Sequence, residues 1–142
     1  MNAEIFEKAN KIIKTNGGIN FGDASFGIID ESGYPSVSTV SLIKPESISE
    51  LHFLTNIGGN KEKRIKQNNK ASICCRFDFN NITLVGEAEV LTDQETKSKF
   101  WQDRFSQMGF SGETDPNICI VKFTAKRVSL FVDFENAGFA LN

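Results

Sequence analysis

The sequence predicts a mainly β protein of the α+β class, built as a small closed or split β-barrel with short helices inserted. Six or seven short apolar segments are bounded by turn residues, which is typical of antiparallel strands. Two further segments place apolar residues at helical spacing. At 142 residues, with 39% hydrophobic and 24% charged residues, the chain is expected to form one domain, residues 1–142.

The composition also bears on the class of ligand. The formal net charge is -2, which argues against a general nucleic-acid binder because such a protein needs a basic surface. No apolar run approaches the roughly 20 residues that cross a bilayer, so no membrane association is expected. Residues 1–15 alternate charged with isolated apolar residues, unlike a secretory signal.

Three cysteines lie within apolar runs, and free thiols in packed strands indicate a reducing, cytoplasmic setting. Neighbouring residues of a strand point to opposite faces, so Cys74 and Cys75 suit neither a simple disulfide nor a metal cage. A zinc site would need the single histidine, His52, to converge with all of the cysteines. We therefore predict no metal site.

The first predicted elements are a helix and a hairpin. Apolar residues at helical spacing predict an amphipathic helix over about residues 2–15, ended by residues 16–18. A strand over 24–29, a turn at 30–33 and a strand over 36–43 follow. The second strand carries four hydroxyl residues in its first six positions. These hydroxyls are either solvated or line a polar ligand.

The centre of the chain reads as a strand over 51–55, a turn with two glycines, and a helix ending at 68–69. Four cationic residues against Glu62 give this helix a local charge of +3; they are Lys61, Lys63, Arg64 and Lys66. A glycine-containing turn and a helix N-terminus together favour a bound anion. Because a lysine in the first turn opposes the helix dipole, we expect a phosphate there. The alternative is a solvated surface helix.

The second half of the chain predicts more antiparallel strands. Strands over 71–77 and 82–91 are joined by a turn, and small residues at Gly86 and Ala88 favour a bend or a close approach. A capping-box pattern at residues 92–95 predicts a helix running to about residue 107. Its face carries Trp101, Phe105 and Met108, typical of core residues, a subunit interface or cofactor contacts.

Final strands are predicted over 118–124 and 128–134, separated by residues 125–127. The tail, residues 135–142, has no predicted structure. The turn after the strand over 51–55 is not a dinucleotide-binding fingerprint, because no G-x-G-x-x-G sequence and no βαβ repeat accompany it.

Three stretches then combine in a recognisable order: Gly33-Tyr34-Pro35 with Ser38-Thr39-Val40, Phe53-Leu54-Thr55-Asn56 with Lys61, and Gly86-Glu87-Ala88-Glu89-Val90. Their order and spacing resemble the FMN-binding split-barrel family, which contains pyridoxamine 5'-phosphate oxidase-like and general-stress-protein-like flavoproteins. The resemblance extends over about residues 24–134. It implies a homodimer of six-stranded split barrels with two FMN sites at the interface.

The resemblance also implies which residues meet the cofactor. The strand matching residues 36–41 borders the isoalloxazine ring, and the turn at 55–56 together with Lys61 contacts the phosphate. The cofactor-binding residues expected on this basis are Ser38, Thr39, Val40, Leu54, Thr55, Asn56, Gly59, Asn60, Lys61 and Trp101.

Two positions depart from the family pattern. Ser38 stands where the family often has an arginine that reaches the phosphate, and Gly59 stands where it often has serine or threonine. The backbone N–H of Gly59 remains, and Lys63 or Arg64 can supply charge. Residues 128–142 lack the arginine-containing substrate motif of the true oxidase, so formation of pyridoxal phosphate is not expected.

The resulting hypothesis is an FMN-dependent oxidoreductase that transfers hydride between flavin and a nicotinamide or small organic substrate. No catalytic residue is assigned: His52 is either an acid–base group or a residue on the solvated strand face. One alternative is a non-enzymatic or stress-response protein that binds FMN, haem or a deazaflavin, and haem would need His52 or a cysteine as axial ligand. Another is a dimer without cofactor.

Overall fold

The computed structural model describes residues 2–141, which form three α-helices, one 3-10 helix and seven strands. The elements in chain order are α1 (Ala3–Asn16), β1 (Ala24–Ile29), β2 (Pro35–Val40), β3 (Glu50–Asn56), α2 (Asn60–Gln67), β4 (Lys70–Phe77), β5 (Asn80–Leu91), α3 (Gln94–Phe100), the 3-10 helix (Asp103–Met108), β6 (Ile118–Val132) and β7 (Glu135–Ala140). Among residues 2–141 we find no helix that combines the length and the apolar character needed to cross a membrane.

All seven strands pair antiparallel in one sheet. Six of them follow the order β2-β1-β4-β5-β6-β3, and β7 pairs with β6. The outermost strands of this path, β2 and β3, approach each other through a bridge between Leu42 and Phe53, and the Ile43 N–H donates to the His52 carbonyl at 2.9 Å. The sheet stays open between β2 and β3, which confirms the predicted mainly β, α+β split barrel.

The barrel interior is filled by apolar side chains from every strand of that path. Phe26 and Phe53 meet edge to face there, with ring centroids 4.8 Å apart. The predicted N-terminal helix is confirmed, and its buried face of Ile5, Ala9 and Ile13 joins the core. The three residues recur at helical spacing, so α1 buries one stripe and leaves its charged residues in water.

A second apolar cluster lies around Leu54 and is separate from the core. Its buried members are Ile43, Leu54, Phe105, Ile118 and Ile120, and the half-buried residues packed against it are Leu91, Phe100, Trp101 and Phe110. Because α3, the 3-10 helix and the loop after it supply Phe100, Phe105 and Phe110, this cluster fixes that segment next to β3 and β6.

The predicted helix over 92–107 is wrong in extent. α3 ends at Phe100, Trp101 is extended, and a 3-10 helix follows. In one continuous helix Phe100 and Phe105 would point about 140° apart. The break at Trp101 instead lets Phe100 stack on His52 while Phe105 joins the cluster around Leu54.

Two strand boundaries also differ from prediction. β2 ends at Val40 instead of residue 43, because the Asp23 carboxylate accepts the Leu42 N–H at 3.0 Å and the chain turns towards β3. The predicted break at 125–127 is wrong: β6 is continuous, and the register shift opposite Val85 and Gly86 leaves Lys126 as the extra residue of a bulge. β7 occupies the tail for which no structure is predicted.

Candidate functional site

A groove of about 420 Å³ lies between the ends of β2 and β3, where the barrel is split. It is lined by Phe21, Gly22, Thr39, Val40, Ser41, Leu54, Thr55, Asn56, Lys61, Phe105, Met108 and Phe110. The volume lies within the range of small-molecule and cofactor pockets. The lining combines hydroxyl, amide and ammonium groups with four apolar residues from the surrounding loops and the 3-10 helix.

One end of the groove is cationic because α2 begins there. Gly59 is the N-cap residue, and the backbone N–H groups of Gly59, Asn60 and Lys61 have no hydrogen-bond partner among residues 2–141. The Lys61 side chain lines the groove and has no ion-pair partner within the same range. Free N–H groups at a helix start carry the positive end of the dipole, so this end suits an anion.

Glu62 is the acidic residue among the cationic residues of α2. Its side chain is buried, accepts the Gly58 N–H at 2.8 Å and lies 3.5 Å from the Lys66 ammonium. Gly58 adopts a φ of 81°, which favours glycine. The carboxylate therefore stabilises the turn and pairs with Lys66, while Lys61 has no ion-pair partner in the described part of the chain.

The position of Arg64 bears on the missing arginine at residue 38. Arg64 extends from α2 to β2, where it lies 3.1 Å from the Glu31 carboxylate and donates to the Ser36 hydroxyl at 3.3 Å. Arg64 also donates a hydrogen bond to the Glu31 carboxylate, and this bond lowers the pKa of Glu31. Arg64 is therefore held by Glu31 and Ser36, whereas Lys63 is exposed. Lys61 is the cation that faces the groove.

Asn56 explains why a glycine fits at residue 59. A Cβ atom built on Gly59 would lie 2.8 Å from the Asn56 side-chain nitrogen and 2.9 Å from its oxygen. The Asn56 amide thus occupies the space that a serine or threonine at residue 59 would need. It brings a polar group to the same end of the groove.

The structure brings together six of the ten residues predicted to bind the cofactor. Those that line the groove are Thr39, Val40, Leu54, Thr55, Asn56 and Lys61. Gly59 and Asn60 lie beside them at the start of α2. Ser38 precedes Thr39 on β2 and is outside the lining. Trp101 is also outside it: its ring meets Phe105 edge-on at 5.6 Å, and its Nε1–H donates to Asp103 at 3.2 Å.

Six lining residues were not among the predicted site residues: Phe21, Gly22, Ser41, Phe105, Met108 and Phe110. The Ser41 hydroxyl accepts the Gly22 N–H at 2.9 Å, which fixes the loop that carries Phe21 against the end of β2. Phe105 and Met108 had a sequence signal, since they share a predicted face with Trp101. Phe21 and Phe110 lie in loops, where no periodic pattern marks a site.

The other reactive side chains lie away from the groove. His52 stacks on Phe100 with ring centroids 4.1 Å apart, and burial lowers its pKa below 6.5. Burial raises the pKa of Cys75 to about 12 and that of Cys119 to about 11. Buried thiols of this kind are unreactive at neutral pH. Cys74, which is half-buried on the opposite face of β4 from Cys75, confirms the predicted alternation.

A split barrel with a groove at its opening, one end of which is cationic, defines the general class of this protein. The sequence matches the family model described as pyridoxamine 5'-phosphate oxidase over residues 26–131. The chain belongs to this family. A comparison with curated proteins gave no match.

Solved structures share this fold across their whole length. A protein related to general stress protein 26, from Clostridium acetobutylicum, has a TM-score of 0.80 at 23% identity, covering 99% of this chain and 97% of its own. General stress protein 26 from Bacillus anthracis has a TM-score of 0.79 at 18% identity, covering 97% and 99%. A pyridoxamine 5'-phosphate oxidase-related, FMN-binding protein from Nostoc punctiforme has a TM-score of 0.69 at 15% identity, covering 99% and 96%.

Proposed function

We propose that the protein is a flavoprotein that binds FMN in the groove, with the phosphate at the start of α2. The observation that carries this proposal is the unpaired Lys61 ammonium beside three free backbone N–H groups at one end of the groove. Family membership and the FMN-binding protein from Nostoc punctiforme support the same cofactor.

The lining residues fit the two chemical halves of FMN. Lys61, the N–H groups from Gly59 onwards and the Asn56 amide would hold the phosphate. Thr39 and Val40 on β2, with Leu54 on β3, offer hydroxyl, backbone and apolar contacts to the ring. Because the phosphate carries the strongest charge, we expect the α2 end to provide most of the polar binding energy.

FMN, when bound, supplies hydride transfer with a nicotinamide or small organic substrate. The chain's residues would position the cofactor, and Phe105, Met108 and Phe110, which line the groove, would shield one side of its ring from water. Lys61 is the titratable group in the lining among residues 2–141, and we place it at the phosphate. We therefore propose an oxidoreductase whose side chains bind and orient and do not transfer protons.

A homodimer would complete this site. β2 is an outer strand of the sheet; Val37 on this strand is 69% exposed, and Tyr34 just before it is 70% exposed. Exposed apolar residues on an outer strand are typical of an interaction surface. We propose that a second copy covers β2 and the open side of the groove.

Haem is less compatible with the groove than FMN. His52 stacks on Phe100 outside the groove, and Cys75 and Cys119 are buried in strands. No histidine or cysteine lines the groove among residues 2–141, so an axial ligand would be lacking. A protein that binds FMN without turnover is the second candidate, because residues 2–141 place no acid or base in the lining away from the proposed phosphate position.

The visible spectrum of the purified protein tests the cofactor. We expect flavin absorption bands, either at once or after FMN is added and excess is removed. A sharp haem band, or no retained chromophore after FMN addition, would contradict the proposal. Anaerobic addition of a reduced nicotinamide then separates the candidates: bleaching of the flavin bands supports the oxidoreductase, and unchanged bands support binding alone.

A further inference from the structure

A separate cavity of about 290 Å³ lies beside β3 and shares no lining residue with the groove. It is lined by Lys44, Pro45, Glu46, Glu50, His52, Lys99 and Phe100. These residues come from the segment between β2 and β3, from β3 itself and from the end of α3. The proposed binding of FMN uses none of them.

Two stacked rings line this cavity. The His52 and Phe100 rings are 4.1 Å apart and inclined by 21°. The Glu50 carboxylate lies 3.9 Å from His52 Nε2, which exceeds hydrogen-bond length. Neither ring nitrogen of His52 has a hydrogen-bond partner among residues 2–141. The imidazole is therefore available to a ligand or water in the cavity.

The charges around the cavity leave an excess of positive groups. Glu46 pairs with Lys14 at 3.3 Å and Glu50 pairs with Lys122 at 3.4 Å. Both partner lysines lie outside the lining. The two lysines of the lining itself have no ion-pair partner among residues 2–141. Each carboxylate is thus neutralised from outside, and within residues 2–141 the cavity presents two ammonium groups that no carboxylate pairs with.

The cavity is also bordered by a strained backbone position, at Lys44. Lys44 has a φ of 42° and directly precedes Pro45. A positive φ is an unfavourable backbone conformation for a residue other than glycine. Such strain persists where the surrounding structure imposes it, and it is concentrated at functional sites. Here it holds a lysine at the edge of the cavity.

We propose that this cavity binds a small aromatic carboxylate through Lys44 and Lys99. The Lys99 ammonium lies 5.3 Å from the centroid of the Phe100 ring. A carboxylate bound by Lys99 would therefore bring its attached ring next to Phe100 and Pro45. The combination of unpaired ammonium groups with an aromatic wall matches a ligand that is anionic at one end and planar and apolar at the other.

Benzoate tests this proposal directly because the chain has one histidine and one tryptophan. The NMR signals of the His52 imidazole report on the cavity, and the fluorescence of Trp101 reports on the residue next to Phe100. We expect benzoate to shift the His52 signals saturably and to raise its pKa, since the added anion acts together with Glu50 against Lys99 and Lys122. The neutral analogue benzamide should bind about tenfold more weakly.

The matched variants separate a site from general attraction to a charged surface. Lys44→Gln/Lys99→Gln should weaken benzoate binding about tenfold. Lys11→Gln/Lys126→Gln removes the same charge from exposed lysines elsewhere and should leave the affinity unchanged. The proposal is overturned if benzoate causes no saturable shift, if benzamide binds equally well, or if both double variants behave alike. FMN binding is measured in parallel and should not change in either variant.

Discussion

The Asn56 amide lies beside Gly59, the position at which the sequence resemblance implies a serine or threonine. A Cβ at residue 59 would come within 2.9 Å of both polar atoms of that amide. We infer that the two positions exchange roles: the asparagine provides a donor for the phosphate that a serine would otherwise provide. The departure seen at Gly59 is then compensated by a neighbour three residues earlier in the chain.

A double-mutant cycle tests this exchange. Asn56→Ala should weaken FMN binding by about 1.5–3 kcal/mol, because a hydrogen bond to a charged group is lost. Gly59→Ser should gain little alone, since its side chain must displace the amide, but should recover about 1 kcal/mol in the Asn56→Ala background. Affinities come from fluorescence titration with FMN. Simple additivity of the two changes would rule out the exchange.

At the scale of elements, Gly86 determines how β5 and β6 meet. A Cβ on Gly86 would overlap the Thr124 carbonyl oxygen, opposite the bulge at Lys126. The small residue is thus required by a close backbone approach, one of the two alternatives predicted from the sequence. The bulge bends β6 where its partner changes from β3 to β7.

Gly86→Ala should lower the free energy of unfolding by about 3 kcal/mol, because backbone atoms of β6 must move. Gly138→Ala is the matched control, since its Cβ would meet the Val128 carbonyl oxygen at 3.6 Å, an ordinary contact. The control should leave stability unchanged or raise it by up to about 1 kcal/mol. Urea denaturation measures both. Equal stabilities of the two variants would show that the close backbone approach at Gly86 does not require a glycine.

The sequence predicted most elements because their patterns are local. The β1 strand and the β4–β5 hairpin alternate clearly, so their positions follow from periodicity and turn residues. The end of α3 before Trp101 does not follow from the local sequence, because it depends on Phe100 and Phe105 both reaching the sheet. The break predicted at residues 125–127 is wrong for a similar reason: Lys126 and Arg127 are polar, but the pairing of β6 with β5 continues past them.

At the scale of the whole molecule, stability should depend on pH through the single histidine. Burial lowers the pKa of His52 below the ordinary 6.5, with Lys122 and Lys99 adding to the effect and Glu50 opposing it. The unfolded chain then binds a proton more readily than the folded one. The contribution of His52 to stability is therefore fully present above pH 6.5 and is lost as the pH drops from 6.5 through the folded-state pKa.

Urea midpoints at about pH 5 and about pH 8 measure this dependence. The His52→Gln variant has no imidazole, so its urea midpoint should change less between these two pH values than that of the wild type. The carboxylates titrate mainly below this window and are common to both proteins. If the midpoint changes equally in the variant and the wild type, the pKa of His52 is the same in the folded and the unfolded protein.

The site as a whole was only partly predictable. β2, β3 and the start of α2 carry their own signals, and these three elements supply six lining residues that were named in advance. The loops with Phe21 and Phe110 become part of the groove through tertiary contacts alone. The same is true of Glu62, whose burial at the turn depends on the φ of Gly58.

The central claim is that the α2 end of the groove binds the phosphate of FMN, and one comparison tests it most directly. FMN and riboflavin differ by that phosphate, so Lys61→Ala should weaken FMN binding by about 1–3 kcal/mol and leave riboflavin binding unchanged. Lys63→Ala, which removes an exposed lysine of the same helix, should affect FMN far less. Equal affinities of the wild type and Lys61→Ala for FMN would contradict the account, as would equal losses for FMN and riboflavin.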